Sequence, residues 1–590
     1  LNLNMKSLLR LFPYISKYKK TLLLGLLAII GSNAFTVIQP HFVGVAIDKL
    51  KIGLETHTLV KIDLIYYAAL IVGFTFIAGI FSYATRQTII VVSRHIEFDL
   101  RNDFLAHIQK LSHSYFQNTP TGDLMAHATN DIGAVRNTVG PGIMYPADTI
   151  VTFTMVLTMM LIKDLSLTLL ALIPLPFVSF AVYKLGKMIN VKFQERQEQF
   201  SKLTTRAQEN LSGIRVVKAY VREDYETKRF RDLSWEYLKK NLTLAKYQSI
   251  IWPSMFLLVG ISLVITIYYG GLQVIDKKLT IGTLTAFFAY LVMLIWPMIA
   301  FGWVTNILQQ GAAAMSRLAK IFDTEPDIKD TPQTDYSIET INGGIEFRNV
   351  TFYHKNAKSS VLQNINLKIE KGKTLAIVGY TGSGKSTLIN LIPRLYDVTE
   401  GNLLIDGIDI KKIPLEVLRS SIGYVPQETF LYSETISNNI SYGVDEPDEQ
   451  KVLQAGDISQ LTKDIAEFPN QFETLVGERG ITLSGGQKQR TSIARAVTRD
   501  PKILILDDAL SAVDTFTEEE ILKRLKKVME NRTSIIISHR ISTVKDADMI
   551  IVLDKSKIAE QGTHDELVAL GGIYADLHNK QLLEEELERL

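Results

Sequence analysis

Long apolar runs fill the first half of the chain. A helix needs about 20 mostly apolar residues to cross the hydrocarbon core of a membrane. Runs of this length cover residues 21–45, 63–85, 139–162, 167–187, 249–274 and 282–308. Prolines interrupt several of these runs, which membrane helices tolerate where neighbouring groups satisfy the freed backbone. We expect six membrane-spanning helices, because a soluble protein rarely has so many core helices of this length.

Two long polar segments, 94–137 and 191–246, separate some of these runs. Their apolar residues recur at spacings of three and four, as in "RHIEFDLRNDFLAHIQKL", which predicts helix. The simplest arrangement continues the membrane helices far out of the bilayer on one side. Lysines in the short loops leave the positive-inside count undecided, so the orientation has to come from the second half of the chain.

The second half alternates short β-rich runs with helical patterns. The runs are "IEFRNVTF", "TLAIVGY", "SIGYVP", "ILILDD", "TSIIISH" and "MIIVLD". Such alternation is typical of an α/β domain with a largely parallel sheet. We therefore expect an α-helical transmembrane domain at 1–322, a polar linker at 323–344, and an α/β domain at 345–590.

The composition agrees with this division. Hydrophobic residues make up 47% of the chain and charged residues 21%, which is little charge for a soluble protein. The net charge of +2 argues against nucleic-acid binding driven by overall charge. Because the chain has no cysteine, disulfides and thiolate metal sites are excluded. The basic amphipathic stretch after Met5 predicts an interfacial helix rather than a signal peptide, since it has no small-residue cleavage site.

The segment "GYTGSGKS" follows the apolar strand "TLAIV" and opens a helical pattern. This is a P-loop in its required strand–loop–helix context. Glycines allow the backbone N–H groups to wrap phosphates, and the helix N-terminus favours negative charge. Lys385 can reach the β and γ phosphate oxygens, and the Ser386 hydroxyl can bind Mg²⁺. The sequence thus predicts a site for ATP and Mg²⁺. The residues that form it are Gly379, Thr381, Gly382, Ser383, Gly384, Lys385, Ser386 and Thr387.

Asp507 ends the apolar run "ILILD". Parallel sheets bind ligands at the carboxyl ends of their strands, so we expect Asp507 beside the P-loop, holding Mg²⁺ through water. A role as a helix cap is the weaker alternative. Because ATP is drawn from the cytosol, six crossings place this domain and the N-terminus in the cytosol. The protein is then a multi-pass protein of the cytoplasmic (inner) membrane.

The segment "LSGGQKQR", 483–490, lies between the two nucleotide-binding strands. Together with the P-loop it resembles the ATP-binding cassette (ABC) family, and the six helices ahead of one cassette look like a type IV half-exporter. Other segments match the family in order. They are Gln427 in "YVPQETFLY" (Q-loop), "VGERG" (X-loop), "SAVD" ending at Asp514 (D-loop), and His539 in "IIISHR" (switch histidine).

The resemblance implies a role for each segment. Gln427 would contact Mg²⁺ and the attacking water, and His539 would bond the γ-phosphate and that water. Family cassettes close head-to-tail around two ATP molecules, so the signature would serve the ATP of a second half-transporter. The residues that this arrangement assigns to ATP are Ser484, Gly485, Gly486, Gln487 and Asp514.

The adenine-stacking position departs from the family pattern, which usually has a tyrosine. The stretch "VTFYH" places His354 at that position with Tyr353 beside it. Either ring can stack on adenine. The register favours His354, because strand alternation would point Tyr353 to the other face.

Asp508 stands where the family usually has the glutamate that activates the attacking water. Aspartate is one methylene shorter, about 1.5 Å of reach. Positioned proton transfer contributes roughly 10²–10⁴-fold, and a misplacement of about 1 Å can cost about 10²-fold. We therefore expect tight ATP binding and slow hydrolysis at this P-loop, unless Asp508 acts through an extra water.

Such an aspartate resembles the degenerate-site chain of heterodimeric bacterial exporters. A different partner would then supply the glutamate and use the intact signature of this chain; a homodimer is the alternative. The expected function is ATP-driven export of hydrophobic or amphipathic small molecules, with membrane lipids and a second half-transporter as partners and no nucleic acid. Flipping of a lipid or lipopeptide is the alternative within the family. An ATP-gated channel or regulator would need a ring of pore charges, for which Arg86 is the main candidate.

Overall fold

The computed structural model describes residues 6–56, 61–355, 357, 359–480 and 482–588. The chain divides into two compact units. The first unit comprises Leu1–Gln109 and Thr121–Thr324, and the second comprises Lys110–Pro120 and Glu325–Leu590. The short segment Lys110–Pro120 therefore leaves the helical unit and packs with the second half of the chain.

Helices make up the first unit. They are Lys6–Leu11, Phe12–Lys17, Lys19–Val37, Gln39–Glu55, Lys61–Thr85, Val91–Lys110, Thr121–Ala126, Ile132–Val139, Pro141–Lys163, Leu165–Leu172, Leu175–Ser212, Ile214–Ala219, Glu223–Ile275, Ile281–Met293 and Ile295–Phe322, with π-helical turns at Arg86–Ile90 and His127–Asp131. All six runs that the sequence predicts as crossings are helical over most of their length. Several breaks coincide with proline, for which the pyrrolidine ring removes an N–H donor; Pro40 and Pro174 stand at such breaks.

Four helices of the described chain are long and apolar enough to cross a membrane, namely Lys19–Glu55, Ile62–Lys110, Thr121–Lys163 and Ile281–Phe322. They contain the first, second, third and sixth predicted crossings. Val259–Ile275, within the fifth, is a shorter apolar helix. The fourth is divided between Leu165–Leu172 and Leu175–Ser212, and both the fourth and the fifth include side chains outside the described part of the chain.

The hairpin between the third and fourth crossings is tight. Only Asp164 separates the helix Pro141–Lys163 from the helix Leu165–Leu172. Its carboxylate accepts the N–H of Leu167 at 2.6 Å, which caps the second helix and satisfies one of its free N–H groups.

The second polar segment continues the membrane helices, as expected. Leu175–Ser212 has 38 residues and Glu223–Ile275 has 53, and the two helices pack along each other. The short helix Ile214–Ala219 connects them. Its side chains are open to solvent within this chain, and Val216 is 61% exposed.

The second unit contains two sheets. The strands are β1 Ile345–Phe352, β2 Leu362–Ile369, β3 Thr374–Val378, β4 Glu400–Ile405, β5 Ile408–Asp409, β6 Ile422–Val425, β7 Ile503–Asp507, β8 Thr533–Ile537, β9 Met549–Asp554 and β10 Lys557–Gly562. One sheet is antiparallel with the order β2-β1-β4-β5. The other has the order β10-β9-β3-β8-β7-β6 and is parallel except for β10.

Helices surround these sheets. In the second unit they are His113–Asn118, Lys385–Asn390, Ile410–Lys412, Leu415–Ser420, Ile436–Ser441, Glu449–Ile458, Thr462–Ile465, Gln471–Glu473, Glu478–Gly480, Gly485–Thr498, Thr515–Met529, Ile541–Val544, His564–Leu570 and Ile573–Glu588. Residues 323–344, all described, form neither helix nor strand.

The parallel sheet is buried on both faces. In β7, Ile503 and Ile505 belong to one apolar cluster, and Leu504 and Leu506 belong to another on the opposite face. Continuous apolar strands of this kind are typical of a parallel sheet covered on both sides. Coverage of both faces leaves the carboxyl edge of the sheet as the place where a ligand can be bound.

Candidate functional site

Four neighbouring parallel strands end at one edge of the sheet. The order β3-β8-β7-β6 brings together four segments that are far apart in sequence. The P-loop follows Val378 at the end of β3, and His539 follows the end of β8. Asp507 is the last residue of β7, and Gln427 stands just beyond β6.

These segments line a cleft of about 270 Å³. Its lining residues are Val361, Thr381, Gly382, Gly384, Lys385, Ser386, Thr387, Gln427, Asp507, Asp508, Ile537 and His539. The structure therefore assembles most of the residues that the sequence assigns to phosphate, metal and catalysis. Val361 and Ile537 were not expected, because nothing in the sequence distinguishes a cleft-lining apolar residue from a core residue.

The P-loop requires glycine at particular positions. Gly379 has φ of +144° and Gly384 has φ of +101°, conformations that other residues rarely adopt. A Cβ at Gly379 would collide with the carbonyl oxygen of Leu553, and a Cβ at Gly384 would lie 2.8 Å from the carbonyl oxygen of Val361. Larger residues would therefore force the loop open and turn its N–H groups away from a phosphate.

Lys385 lies inside this loop and is only 8% exposed. Its ammonium donates to the carbonyl oxygens of Gly379 at 2.8 Å and Tyr380 at 3.0 Å. Burial lowers the pKa of Lys385, although the nearby carboxylates of Asp507 and Asp508 act in the opposite direction. A bound phosphate would place a negative charge beside this buried ammonium group.

The donors of the loop fit a polyphosphate. In the described part of the chain the buried hydroxyl of Ser383 has no hydrogen-bond partner, and buried polar groups in native proteins are usually satisfied. A phosphate oxygen can accept from this hydroxyl and from the loop N–H groups. The residues present therefore fit the triphosphate of ATP.

Asp507 is 3% exposed at the carboxyl end of β7. Burial raises its pKa, whereas a hydrogen bond from Ser386 lowers it. Nearby, Asp508 raises the pKa further, and Lys385 and His539 lower it. A buried carboxylate beside a serine hydroxyl suits a divalent cation, because the ion's charge compensates the carboxylate.

Among the described residues no group of three or more His, Asp or Glu side chains forms a ready-made metal site. Mg²⁺ fits this cleft in another way, since it commonly binds one or two carboxylates together with substrate phosphates. Asp507, Ser386 and Gln427 would be the protein ligands.

The backbone at Asp508 is fixed on both sides. Its φ of +48° lies in the left-handed region, which aspartate tolerates better than most residues. Its N–H donates to Ile537 at 2.9 Å, and its carbonyl oxygen accepts from the Ser511 hydroxyl at 3.0 Å. These bonds restrain the backbone, so the carboxylate of Asp508, which already lines the cleft, cannot move deeper into it by a shift of the backbone.

The signature residues do not line the cleft of this chain. Ser484 caps the helix Gly485–Thr498, accepting the N–H of Gln487 at 3.2 Å, while the Gln487 side chain accepts the N–H of Ser484 at 2.9 Å. Gln487 also donates to Asp464 at 3.0 Å. Ser484 and Gly485 are exposed. Gly486 is half-buried, and a Cβ at this position would lie 2.9 Å from the carbonyl oxygen of Ala512.

Gln489, a residue that sequence reasoning missed, links this helix to the segment after Asp508. Its side chain accepts the N–H of Ala512 at 2.9 Å and donates to Ser511 at 3.0 Å and to the carbonyl of Asp508 at 3.4 Å. Its position, two residues after Gln487 in the signature, gave no indication of the contact.

Asp514 also lies outside the cleft. It is exposed and caps the helix Thr515–Met529, where its carboxylate accepts the N–H of Thr517 at 2.9 Å. This backbone hydrogen bond is the main reason that the pKa of Asp514 is lowered.

Neither candidate for the adenine ring lines the cleft. β1 ends at Phe352, so strand alternation does not extend to Tyr353 and cannot decide between the two rings. His354 is half-buried and packs edge-on against Phe352 and Tyr396, with centroid distances of 5.0 and 5.5 Å. Tyr353 is 38% exposed.

Comparison with protein families supports both halves of this description. Residues 22–298 match the ABC transporter transmembrane region, and residues 362–511 match the family described as ABC transporter. The chain is 38% identical over 561 residues to the probable multidrug resistance ABC transporter ATP-binding/permease protein YheI of Bacillus subtilis (strain 168), covering 95% of each chain. It is 36% identical over 578 residues to the ATP-dependent lipid A-core flippase of Desulfotalea psychrophila, covering 98% of this chain and all of the relative.

A solved structure has the same architecture. It is a bacterial Atm1-family ABC exporter with ATP bound, which is 27% identical and superposes with a TM-score of 0.79. The match covers 95% of this chain and 98% of that one. The P-loop cleft, the membrane helices and these likenesses lead to one conclusion: the chain belongs to the ABC transporter family, as an exporter chain that joins a helical transmembrane domain to an ATPase domain coupled to transport.

Proposed function

We propose that this chain is one half of a heterodimeric exporter that moves hydrophobic or amphipathic small molecules out across the cytoplasmic membrane. We further propose that its own P-loop site binds ATP and hydrolyses it slowly. The observation that carries the second proposal is the place of Asp508, which lines the cleft directly after the metal carboxylate.

The residues of the P-loop would hold the nucleotide. Lys385 would exchange its two carbonyl contacts for phosphate oxygens, and the Ser383 hydroxyl would gain the partner it lacks within the described chain. Mg²⁺, when bound, would neutralise charge that develops on the phosphate oxygens. Either ring of the pair Tyr353 and His354 would stack on the adenine.

The residues around the γ-phosphate would orient the attacking water. Gln427 and His539 are both exposed side chains on the rim of the cleft, so each is free to contact a water there. The carboxylate of Asp508 would have to take the proton from this water. Because its backbone is fixed and its side chain is about 1.5 Å shorter than glutamate, we expect the proton transfer to be poorly aligned.

The intact signature supports a role in a second, shared site. Ser484 and Gly485 are exposed at a helix N-terminus that is capped within the chain. N–H groups at a helix start favour an anion. The partner's P-loop and glutamate would then use this signature, with Asp514 at the same interface.

Small-molecule export is favoured over lipid flipping by the aromatic side chains left open in the described membrane unit. Phe287 is fully buried, but Trp296 is 50% and Trp303 is 44% exposed. The multidrug names of several relatives agree with this choice. The lipid A-core flippases among the relatives make lipid flipping the second candidate.

The decisive experiment uses the complex purified from cells that express this chain together with a candidate partner half-transporter that has a glutamate after its metal aspartate. We expect a one-to-one heterodimer in which Asp508→Glu raises ATP hydrolysis at this site by about 10²-fold. Lys385→Ala in the same background is the control, because it should abolish the gain. Transport of an amphipathic dye and of a labelled lipid into vesicles separates the two substrate classes.

A homodimer whose turnover is unchanged by Asp508→Glu would contradict the degenerate-site proposal. Lipid transport without dye transport would replace the first substrate class by the second.

A further inference from the structure

Asp148 is a carboxylate within a membrane crossing. It lies in the helix Pro141–Lys163, which forms most of the third predicted crossing. It contacts Asn33 of the first crossing, 115 residues earlier in the chain. Asn33 is at the middle of the run 21–45, about 18 Å from either end at 1.5 Å per residue. The pair therefore lies well inside the predicted hydrocarbon region.

The hydrogen bonds of Asn33 fix one oxygen of this carboxylate. Asn33 is 7% exposed. Its amide nitrogen donates to Oδ1 of Asp148 at 2.7 Å and to the carbonyl oxygen of Ile29 at 3.0 Å. Its amide oxygen accepts from the hydroxyl of Thr152. Since both amide donors and the amide oxygen are engaged, Asn33 holds Asp148 without neutralising it.

The other oxygen of the carboxylate, Oδ2, is not held by Asn33. No donor to Oδ2 and no Lys, Arg or His ion pair with Asp148 occurs in the described part of the chain. Asp148 is half-buried, so the side chain is partly accessible. Charged groups inside a membrane are costly unless they are paired, and they commonly mark a substrate pathway.

An aromatic pair lies one helical turn from this oxygen. Tyr145 is three residues before Asp148, and its ring contacts that of Trp303 with centroids 4.7 Å apart and planes at 65°. Trp303 belongs to the helix Ile295–Phe322 and is 44% exposed. Faces of tryptophan and tyrosine attract organic cations, and the attraction increases when water is excluded.

Two further acceptors lie on the same helix. Pro146 is inside the helix and has no N–H, so the carbonyl of Gly142 loses its usual helical donor. The hydroxyl of Thr149 is buried without a partner in the described chain. The helix Pro141–Lys163 packs against both Lys19–Val37 and Ile295–Phe322.

We propose that Asp148, Tyr145 and Trp303 form a binding site for a lipophilic organic cation, with Asn33 as the residue that positions the carboxylate. The cation's charge would lie beside Oδ2 of Asp148, and its apolar groups would lie against the rings of Tyr145 and Trp303. The inference rests on the proposed export of amphipathic compounds and narrows their class to cations.

The test compares a permanent cation with a neutral molecule of similar shape. Tetraphenylphosphonium and triphenylphosphine oxide are bound to the purified full-length complex in nanodiscs of uncharged phosphatidylcholine, and binding is measured by equilibrium dialysis. We expect Asp148→Asn to weaken tetraphenylphosphonium binding at least about tenfold and to change triphenylphosphine oxide binding less than about twofold. Asp148→Glu should retain the preference for the cation.

Asp63→Asn is the matched control, because it removes an exposed carboxylate from the first turn of another membrane helix. It should leave both affinities unchanged. Trp303→Leu should weaken the binding of both probes, since each presents aromatic groups, whereas Trp303→Phe should retain most of it.

If Asp148→Asn weakens the binding of both probes equally, the pair of Asp148 and Asn33 only holds the helices together. If the binding of both probes is unchanged, the site is excluded. Either result overturns this inference without contradicting the proposed export function. If the wild-type complex binds tetraphenylphosphonium in the expected manner but transports neither dye nor lipid, the proposed function fails and the site stands.

Discussion

The side chain of Gln489 accepts the backbone N–H of Ala512 at 2.9 Å. Through the same carboxamide it donates to Ser511 and to the carbonyl of Asp508. One buried side chain therefore ties the signature helix to the backbone at Asp508. A shift of either element would be transmitted to the other, because the carboxamide cannot keep all three bonds when one partner moves.

Replacing Gln489 should uncouple these elements. We expect Gln489→Ala to lower the free energy of unfolding by about 0.5–1.5 kcal/mol, because the N–H of Ala512 loses its protein acceptor at an exposed position where water can replace it. ATP turnover of the complex should fall together with the cooperativity of the two ATP sites. Thermal unfolding measures the loss of stability, and the dependence of hydrolysis on ATP concentration measures the turnover and the cooperativity.

The control is Gln489→Glu, which keeps an acceptor for Ala512 but loses the donor to Ser511 and Asp508. It should preserve more stability than alanine does. Equal effects of the two variants would show that the Ala512 bond is not the important one.

Lys385 should be needed for binding and not for folding. Its ammonium is buried, and its burial lowers the pKa of the group, so the folded protein gains little from the charge. We expect Lys385→Ala to lower ATP affinity at least tenfold while the melting temperature without nucleotide stays the same or rises. Photolabelling with an azido-ATP and thermal unfolding measure the two quantities.

Lys373→Ala is the matched control. This lysine is exposed and pairs with Asp548 at 2.9 Å, so its removal should affect neither quantity noticeably. A large fall in melting temperature for Lys385→Ala would mean that the lysine holds the loop together rather than binding phosphate.

An ion pair in the polar extension should make stability depend on acid pH. Burial alone would raise the pKa of Asp131, but hydrogen bonds from Arg317 and His127 outweigh it, and the pKa is lowered from the ordinary value of 3.8. A carboxylate with a lowered pKa stabilises the fold above its unfolded pKa. This contribution is lost as the pH falls through the folded pKa.

We expect Asp131→Asn to lower the free energy of unfolding by about 1–3 kcal/mol at pH 7. This is less than for a fully buried pair, because Arg317 is half-exposed and solvent screens the interaction. The difference between variant and wild type should stay constant down to about pH 5 and narrow only below about pH 4. Thermal unfolding over this pH range measures it. A difference that already vanishes near pH 6 would assign the effect to another group.

The sequence predicts best what depends on contiguous residues. The parallel strands were recognisable because they are apolar on both faces, as in β7. By contrast, β2, β4, β5 and β10 were missed. The asparagines of β2 interrupt its apolar pattern, the first three residues of β4 are exposed, β5 has only two residues, and every residue of β10 is exposed or half-buried.

The same distinction applies to the sites. The P-loop, Asp507 and His539 come from short motifs, and the order of the strands alone brings them to one edge. The contact of Gln489 with Ala512, and that of Asn33 with Asp148, join residues of different elements. Such contacts depend on how helices and loops pack, which no local pattern of residues determines.

The segment Lys110–Pro120 suggests a last test, on coupling between ATP and transport. Within the second unit, the ring of His113 packs edge-on against Tyr396 with centroids 5.6 Å apart. Tyr396 is 8% exposed and also contacts Phe352 and His354. The short helix His113–Asn118 is thereby joined to the neighbourhood of the proposed adenine rings.

Tyr396→Ala would leave a cavity among these rings and should cost about 3–5 kcal/mol. We expect it to weaken stimulation of ATP hydrolysis by transported compounds more than basal hydrolysis, because the helix loses its aromatic contact while the P-loop is untouched. Tyr396→Phe keeps the ring contact with His113 and loses the hydroxyl, which is hydrogen-bonded to Gln117 of the same short helix. It should retain most of the stimulation if the ring contact is the important one. The comparison requires basal and stimulated hydrolysis of the same preparations in nanodiscs. Proportional losses of both activities in Tyr396→Ala would show that the residue supports folding alone.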